Sequence, residues 1–234
     1  PLRGWWERAL PRLPPLDRRA KAWLAAILVV GAVLRLLWAA QAEEPRELRD
    51  PVLYMILADH VASGDGYSYG DEPDQGVTAY YPPAYPLLLA GGLWAVRLLP
   101  GDVSTFSVAV GLNVVLSVAT IALVFVLARR LAGTRAGLVA AAIWALWPNL
   151  VFHGAVVLTE TLFLFLFVLL LIVVLGDPAA ARAPGRARLI TVGVLFGLVM
   201  LTRPVFIVAA PAFAILWWRS GLRVLVGRLA LVGL

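Results

Sequence analysis

Residues 105–146 read TFSVAVGLNVVLSVATIALVFVLARRLAGTRAGLVAAAIWAL. From Thr105 to Ala128 the run carries no charge; Arg129, Arg130 and Arg135 then arrive together, and from Ala136 to about Phe152 charge is again absent. About 20 mostly apolar helical residues cross a bilayer. Within lipid each segment must satisfy its own backbone groups, so such runs are helices. Two apolar runs meeting at an arginine cluster therefore read as two spans joined on the cytoplasmic side, by the positive-inside rule. The fold class that follows is an all-α polytopic membrane protein.

The rest of the chain agrees. It is 62% hydrophobic and 15% charged over 234 residues, with a mean hydropathy of +0.87. A soluble domain carries about 25% charged residues. The absence of cysteine excludes a disulfide framework, a thiolate nucleophile and a Cys-ligated zinc. The net charge of +6 does not point to nucleic acid, because the arginines cluster at the ends of apolar runs. No cleavable signal pattern precedes the first run. The chain starts at Pro1 and stops at Leu234 inside an apolar segment, which is the expectation for the N-terminal part of a longer protein.

Toward the N-terminus, residues 1–21 form a basic arm with Trp5, Trp6, Leu10 and Leu13, expected on the cytoplasmic membrane surface. Residues 22–40, Ala22 to Ala40, form the first transmembrane helix. Its one charge, Arg35, reads as a snorkelling side chain or as a group reaching a substrate. Residues 41–103 hold ten of the fourteen acidic residues and three arginines, and form a long outer loop. Loops of that length are usually functional or disordered. Within it, Asp50 to Ala62 has helical apolar spacing. Ser63 to Gly76 is turn-rich. Residues 84–98 form an interfacial or re-entrant helix; if they crossed, Arg129, Arg130 and Arg135 would fall outside. Residues 104–234 hold further transmembrane helices. After the first pair come Glu160 to Leu175 going inward, a cytoplasmic loop 176–188 with Arg182, Arg186 and Arg188, Leu189 to Thr202 going outward, and Pro204 to Trp218 returning. Arg219, Arg223 and Arg228 then lie inside.

Outer-side ionisable groups beside apolar helices are the candidates for chemistry, because charge at membrane depth is costly. Asp50 followed by Pro51 is a helix start, with Asp as N-cap and Pro as first helical residue; its carboxylate can still face a substrate. Glu160 is the sole acidic residue between Asp102 and Asp177 and begins a span, where the positive helix end favours it. Arg203, in the outer turn Leu201-Thr202-Arg203-Pro204, reads as an interfacial anchor or as a phosphate partner through paired hydrogen bonds. Tyr80 and Tyr81 suit either an aromatic belt or stacking on a sugar ring. Asp65, Asp71, Glu72 and Asp74 read as a solvated acidic loop, with a divalent cation the alternative. His60 and His153 show no ligand spacing. No phosphate-cradling Gly loop or G-x-S-x-G elbow is present.

With these residues in view the chain resembles the C-type glycosyltransferase superfamily. Its nearest branch is family 39-like, with the protein O-mannosyltransferases and lipid A aminoarabinose transferases. The resemblance rests on an ordered set: Asp50, Tyr54 and Ala58 after the first span; a turn from Gly64 to Gly66; Pro82-Pro83-Ala84-Tyr85-Pro86; Ala128-Arg129-Arg130-Leu131-Ala132-Gly133; Pro148; Leu158-Thr159-Glu160; and Thr202-Arg203-Pro204. Two positions depart from the family pattern. Pro51 stands where a second acidic residue is common, and Ala84 where the family has Gly.

The resemblance implies a C-type glycosyltransferase transmembrane module with a long outer first loop carrying interfacial helices. It implies a multi-pass plasma-membrane enzyme with its active site outward; the Arg and Ala richness with a single Lys points by composition to a GC-rich bacterial genome. Its partners are a polyprenyl-phosphate-linked sugar, the lipid bilayer, and an acceptor glycan, lipid or protein; nucleic acid is not among them. Asp50 is implied as general base and Glu160 as a second catalytic carboxylate. Arg203, Tyr54, Tyr80, Tyr81, Tyr85 and Arg35 are implied as substrate-binding residues, and a divalent metal as cofactor stays open. A single displacement with one base predicts inversion at C1. Other function classes are a non-catalytic lipid-binding subunit and a lipid or sugar transporter. Transport needs polar residues at mid-depth, and the span middles read as nearly pure Leu, Val, Ala and Phe; no internal repeat is apparent either.

Overall fold

The computed structural model describes residues 13–70, 78–175 and 186–211. The expectations for Trp5, Trp6 and Leu10, for Asp71, Glu72 and Asp74, for Arg182, and for the end of the last run with Arg219, Arg223 and Arg228 lie outside the described residues. The described residues are helical, with no β-strand among them.

Helix α1, Arg18–Ala39, begins where Asp17 accepts a hydrogen bond from the Ala20 amide at 2.7 Å. A cap at this point draws Arg18, Arg19 and Lys21 into the helix, so it starts four residues before Ala22. Helix α2, Asp50–Ser63, closes on Gly64 in the left-handed conformation that glycine adopts without strain. Helix α3, Ala84–Arg97, has 14 residues. At 1.5 Å per residue it is about 21 Å long, short of the roughly 30 Å hydrocarbon thickness.

Helix α4, Thr105–Leu146, is two arms. Gly133 breaks it with φ 86° and ψ 175°, a backbone region essentially reserved for glycine. The arms, 105–132 and 134–146, fold back on one another. A Cβ at Gly137 would lie 2.9 Å from the Phe125 carbonyl and 3.0 Å from Arg129 Cβ. Further along, Ala141 and Ala145 cluster with Phe125 and Ile121. Helix α1 packs on the same seam, where Gly31 lies against Ile121 and Ala145. Small residues permit that approach, as they do between membrane helices.

The second arm stops earlier than the apolar run suggests. Trp147 is extended (φ −66°, ψ 118°) because Pro148 follows it, and a separate short helix α5, Pro148–His153, comes next. Helix α6 is Glu160–Leu175 and α7 is Arg186–Thr202. Arg188, expected in a loop, is in α7 and donates to the carbonyls of Val173 and Val174 at 2.8 and 2.6 Å, capping the end of α6. After Arg203 the chain starts as a 3₁₀ helix, Pro204–Ala209, rather than as a regular span.

The helices sort the charges to two ends. At one end Arg129 donates to the Pro14 carbonyl and Arg130 to that of Ile172, beside Arg188. At the other end lie the end of α1, helices α2, α3 and α5, and the beginnings of α4 and α6. Here Asp59 accepts from Thr105 Oγ1 at 2.7 Å and from Arg97 at 3.4 Å, tying α2 to α3 and α4. A shared core of Tyr54, Tyr85, Leu89, Ala109, Leu162 and Phe206 joins these elements. Helix α1 and the stretch Thr105–Leu146 are apolar and long enough to cross a membrane; α6 and α7 are shorter and also apolar.

Two expectations are corrected inside the bundle. Arg35 does not snorkel: it is completely buried. And the middle of α4 is not purely apolar, since Asn113, Ser117 and Thr120 form a buried polar stripe at i, i+4 and i+7.

Candidate active site

Asp50 is not the N-cap of α2. Arg49 takes that place with no side-chain cap bond, and Asp50 is the first helical residue, with Pro51 next. Its carboxylate is thereby released from capping. Asp50 Oδ1 accepts the Tyr81 hydroxyl at 3.0 Å, and Oδ2 has no partner among the described residues. Tyr81 is set in turn by Tyr67, whose hydroxyl donates to the Tyr81 carbonyl at 3.1 Å.

Tyr81 begins a ladder of rings packed edge to face. Tyr80 lies 5.0 Å from Tyr81, Tyr81 lies 5.2 Å from Tyr54, and Tyr54 lies 5.5 Å from Tyr85. Such T-shaped pairs match the quadrupoles of the rings. The ladder runs from solvent to core: Tyr80 is 81% exposed and Tyr85 fully buried. Burial pushes the Tyr81 phenol up to about 12, with its hydrogen bond to Asp50 adding to the effect. Burial also raises Tyr54 to about 12, and the charges of Asp50 and Glu160 raise it further while Arg203 works against them. Tyr54 thus feels Asp50 together with Glu160 and Arg203, which lie 110 and 153 residues further along the chain.

Glu160 opens α6, and Arg203 Nη2 donates to its Oε1 at 2.7 Å. The Arg203 guanidinium also lies 5.9 Å from the Phe163 ring centre, within cation–π range. Both side chains are partly open, Arg203 at 40% and Glu160 at 25% exposure. Glu160 Oε2 is buried and has no partner among the described residues. Arg203 Nε and Nη1 likewise have none. The site therefore presents an ion pair with unused donors on the cation and an unused acceptor on the carboxylate.

Of the residues singled out by sequence, Asp50, Tyr54, Tyr80, Tyr81, Glu160 and Arg203 come together. Tyr85 stands behind Tyr54 with its hydroxyl exchanging hydrogen bonds with Asn113 at 3.0 and 3.3 Å. Arg35 stands apart, its guanidinium taken up by Ser117 and by carbonyls of Gly31, Ala145 and Trp144. Asp65 joins no group of three His, Cys, Asp or Glu, and no such group occurs among the described residues. His60 meets the Ser68 hydroxyl at 3.1 Å.

Sequence reading missed a cavity. About 310 Å³ lies between the segments that lead from Asp50 and toward Glu160, lined by Trp38, Gln41, Glu43, Pro51, Phe106 and Phe152, with Ala155 to Val157. It is within the size range of small-molecule sites, mostly apolar with a few polar groups. Its signal in the sequence was the aromatic pair Trp38 and Phe152, whose rings lie 5.9 Å apart in the fold though 114 residues apart in the chain.

Residues 82–233 match the family model described as dolichyl-phosphate-mannose-protein mannosyltransferase. That stretch includes Tyr85, the Gly133 turn, Glu160 and Arg203, and begins after Asp50 and Tyr54. No curated protein and no solved structure matches the chain. The match covers well over half of the sequence, and the chain belongs to the dolichyl-phosphate-mannose-protein mannosyltransferase family of membrane glycosyltransferases.

Proposed function

We propose that this chain is the catalytic membrane module of a glycosyltransferase that moves a sugar from a polyprenyl-phosphate donor to an acceptor hydroxyl on the outer face of a bacterial plasma membrane. The observation that carries this reading is the convergence of Asp50, Tyr81 and Tyr54 from the first loop with the Glu160–Arg203 pair from two later helices. The chain is multi-pass in this reading, with the carboxylate-bearing end outward and the arginine-bearing end in the cytoplasm. Residues 1–21 lie on the inner surface, 22–40 cross first, 41–103 form the outer loop and 104–234 supply the remaining spans.

Asp50 is the general base. Tyr81 fixes Oδ1, and Oδ2 takes the proton of the acceptor hydroxyl, which requires an approach of about 2.6–3.2 Å. The acceptor oxygen forms its bond to C1 as the bond from C1 to the phosphate oxygen breaks, and the lipid phosphate leaves with the electron pair. A single displacement of this kind inverts C1. Arg203 meets the phosphate through its unused N–H groups, where a preorganised cation stabilises charge that develops on the leaving group. Glu160 Oε2 accepts a hydroxyl of the donor sugar or of the acceptor, which gives that buried oxygen the partner it lacks. The exposed ring of Tyr80, backed by the partly buried ring of Tyr81, supplies a stacking face for a sugar. The neighbouring cavity carries Glu43 and no cation in its lining, which suits an uncharged acceptor better than a phosphate.

The test uses membranes containing the protein or its Asp50→Asn variant, supplied with radiolabelled polyprenyl-phosphate mannose. Label should leave the lipid fraction with wild type, and Asp50→Asn should lower that rate by about 10²-fold or more, the usual worth of a general base. Equal transfer by both proteins would remove Asp50 from the chemistry. Donor binding without any transfer would favour a lipid-binding subunit.

A further inference from the structure

We infer that the buried stripe Asn113, Ser117 and Thr120, together with Arg35, is a positioning device that sets where Glu160 stands. The inference rests on the role proposed above for Glu160. Its starting point is the break at Pro148. Proline has no N–H, so the Trp144 carbonyl loses its helical donor, and the end of the arm leaves the Ala145 carbonyl without one. In an apolar interior such groups must be paired by other means. Arg35 provides the donors: Nη1 to Ala145 at 3.0 Å and Nη2 toward Trp144 at 3.3 Å. Its Nε donates to Ser117 Oγ at 2.6 Å. A charged residue that looked like a membrane anchor is the external cap of a broken helix.

The segment that follows the break is then held along its length. Gly154 packs on Arg35 and on Ser117, with space for a Cβ only 3.3 and 3.5 Å from their atoms. One turn before Ser117, Asn113 Nδ2 donates to the Val156 carbonyl at 2.7 Å and also to Tyr85. Thr161 Oγ1 donates to the His153 carbonyl at 2.7 Å, closing the loop onto the start of α6. Residues 154–159 lie between two helices and lead to Glu160, with Ala155 and Val157 buried in the shared core, so these side-chain bonds add to that packing in fixing the course of the segment. Beside the stripe a cavity of about 10 Å³ is lined by Ser117, Thr120, His153 and Thr161, and the buried Nδ1 of His153 has no partner among the described residues. That is about the room one water needs, and hydroxyls surround it. Through Asn113 and Tyr85 the same stripe reaches Tyr54, so both halves of the site are referred to one face of α4.

The experiment measures amide hydrogen exchange of the full chain in lipid nanodiscs, alongside kcat and the donor KM for polyprenyl-phosphate mannose. Asn113→Leu removes the donor to Val156. Thr161→Val, nearly isosteric, removes the donor to His153 and serves if the first variant does not fold. In each folded variant, exchange across 154–160 should rise by about tenfold or more as a buried carbonyl loses its donor, while α1 and the rest of α6 keep their protection. The rate kcat should fall by about tenfold, as misplacement of a group that orients the substrate predicts. Unchanged exchange across 154–160 overturns the inference, and so does raised exchange with full kcat. Full transfer by Glu160→Gln overturns the role of Glu160 and the inference with it; the exchange data show which of the two failed.

Discussion

At the scale of single residues, the site is a matter of which polar atoms are already spoken for. Asp50 keeps one oxygen on Tyr81 and the other open; Arg203 spends one nitrogen on Glu160. The tyrosines give this arrangement a measurable signature. Their phenols ordinarily ionise near 10, and those of Tyr54, Tyr67 and Tyr81 are pushed up to about 12 by burial. A raised phenol pKa favours the protonated folded form. The stability it contributes is fully present below pH 10 and is lost as pH rises through 12. Phenolate absorbance in a pH titration should therefore show a step near 12, and Tyr81→Phe should reduce that step by one phenol; an unchanged step would mean that Tyr81 is not held as described. In the sequence Glu160 and Arg203 stood out as charges stranded beside apolar runs, and Asp50 as the opening of a helix with Pro51. It could not show that Asp50 leaves the cap to Arg49, since both arrangements satisfy Asp-Pro at a helix start. Nor could it separate a snorkelling arginine from one buried at a broken helix, because that depends on carbonyls 109 and 110 residues away.

At the scale of elements, the fold turns on glycine and proline. Gly133 reverses α4, and Pro148 ends its second arm. Gly133→Ala meets no neighbour within 4 Å, so only the backbone strain is felt. Thermal unfolding in detergent should show a loss of about 1–3 kcal/mol, the usual strain of a non-glycine residue in that region. A loss near zero would show that the turn can adopt another conformation. The boundaries of α2 and α3 were legible from apolar spacing and from Pro at their starts, and that of α6 from Glu160 at the head of an uncharged run. The starts of α1 and α7 were not, because charged residues that look like loop are drawn into a first turn when a cap or carbonyl acceptor is available, as with Asp17 for Arg18 and with Val173 for Arg188. The polar stripe of α4 was visible as letters but not as a feature. Asn113, Ser117 and Thr120 are spread through a very apolar run, and only the helical period places them on one face.

At the scale of the whole molecule, Arg129, Arg130 and Arg188 lie at one end of the described residues and Asp50, Asp59 and Glu160 at the other, and the proposed topology puts the first set inside and the second outside. Residues 1–234 hold no cysteine, so a cysteine introduced there is the sole thiol of this stretch. In intact cells Ser68→Cys should react with a membrane-impermeant maleimide, and Arg135→Cys should react only after permeabilisation. The reverse pattern would invert the topology and move the site inside. Gly133 has a last consequence, for how the protein is made. The second arm, 134–146, is about 20 Å long and cannot bridge a bilayer by itself. With the fold-back at Gly133, its insertion becomes a paired event. The first arm is long enough to enter alone, and the second follows as the other limb of a hairpin, with Arg129, Arg130 and Arg135 retained on the side of synthesis. The ribosome must therefore release both arms before the second is stable in lipid.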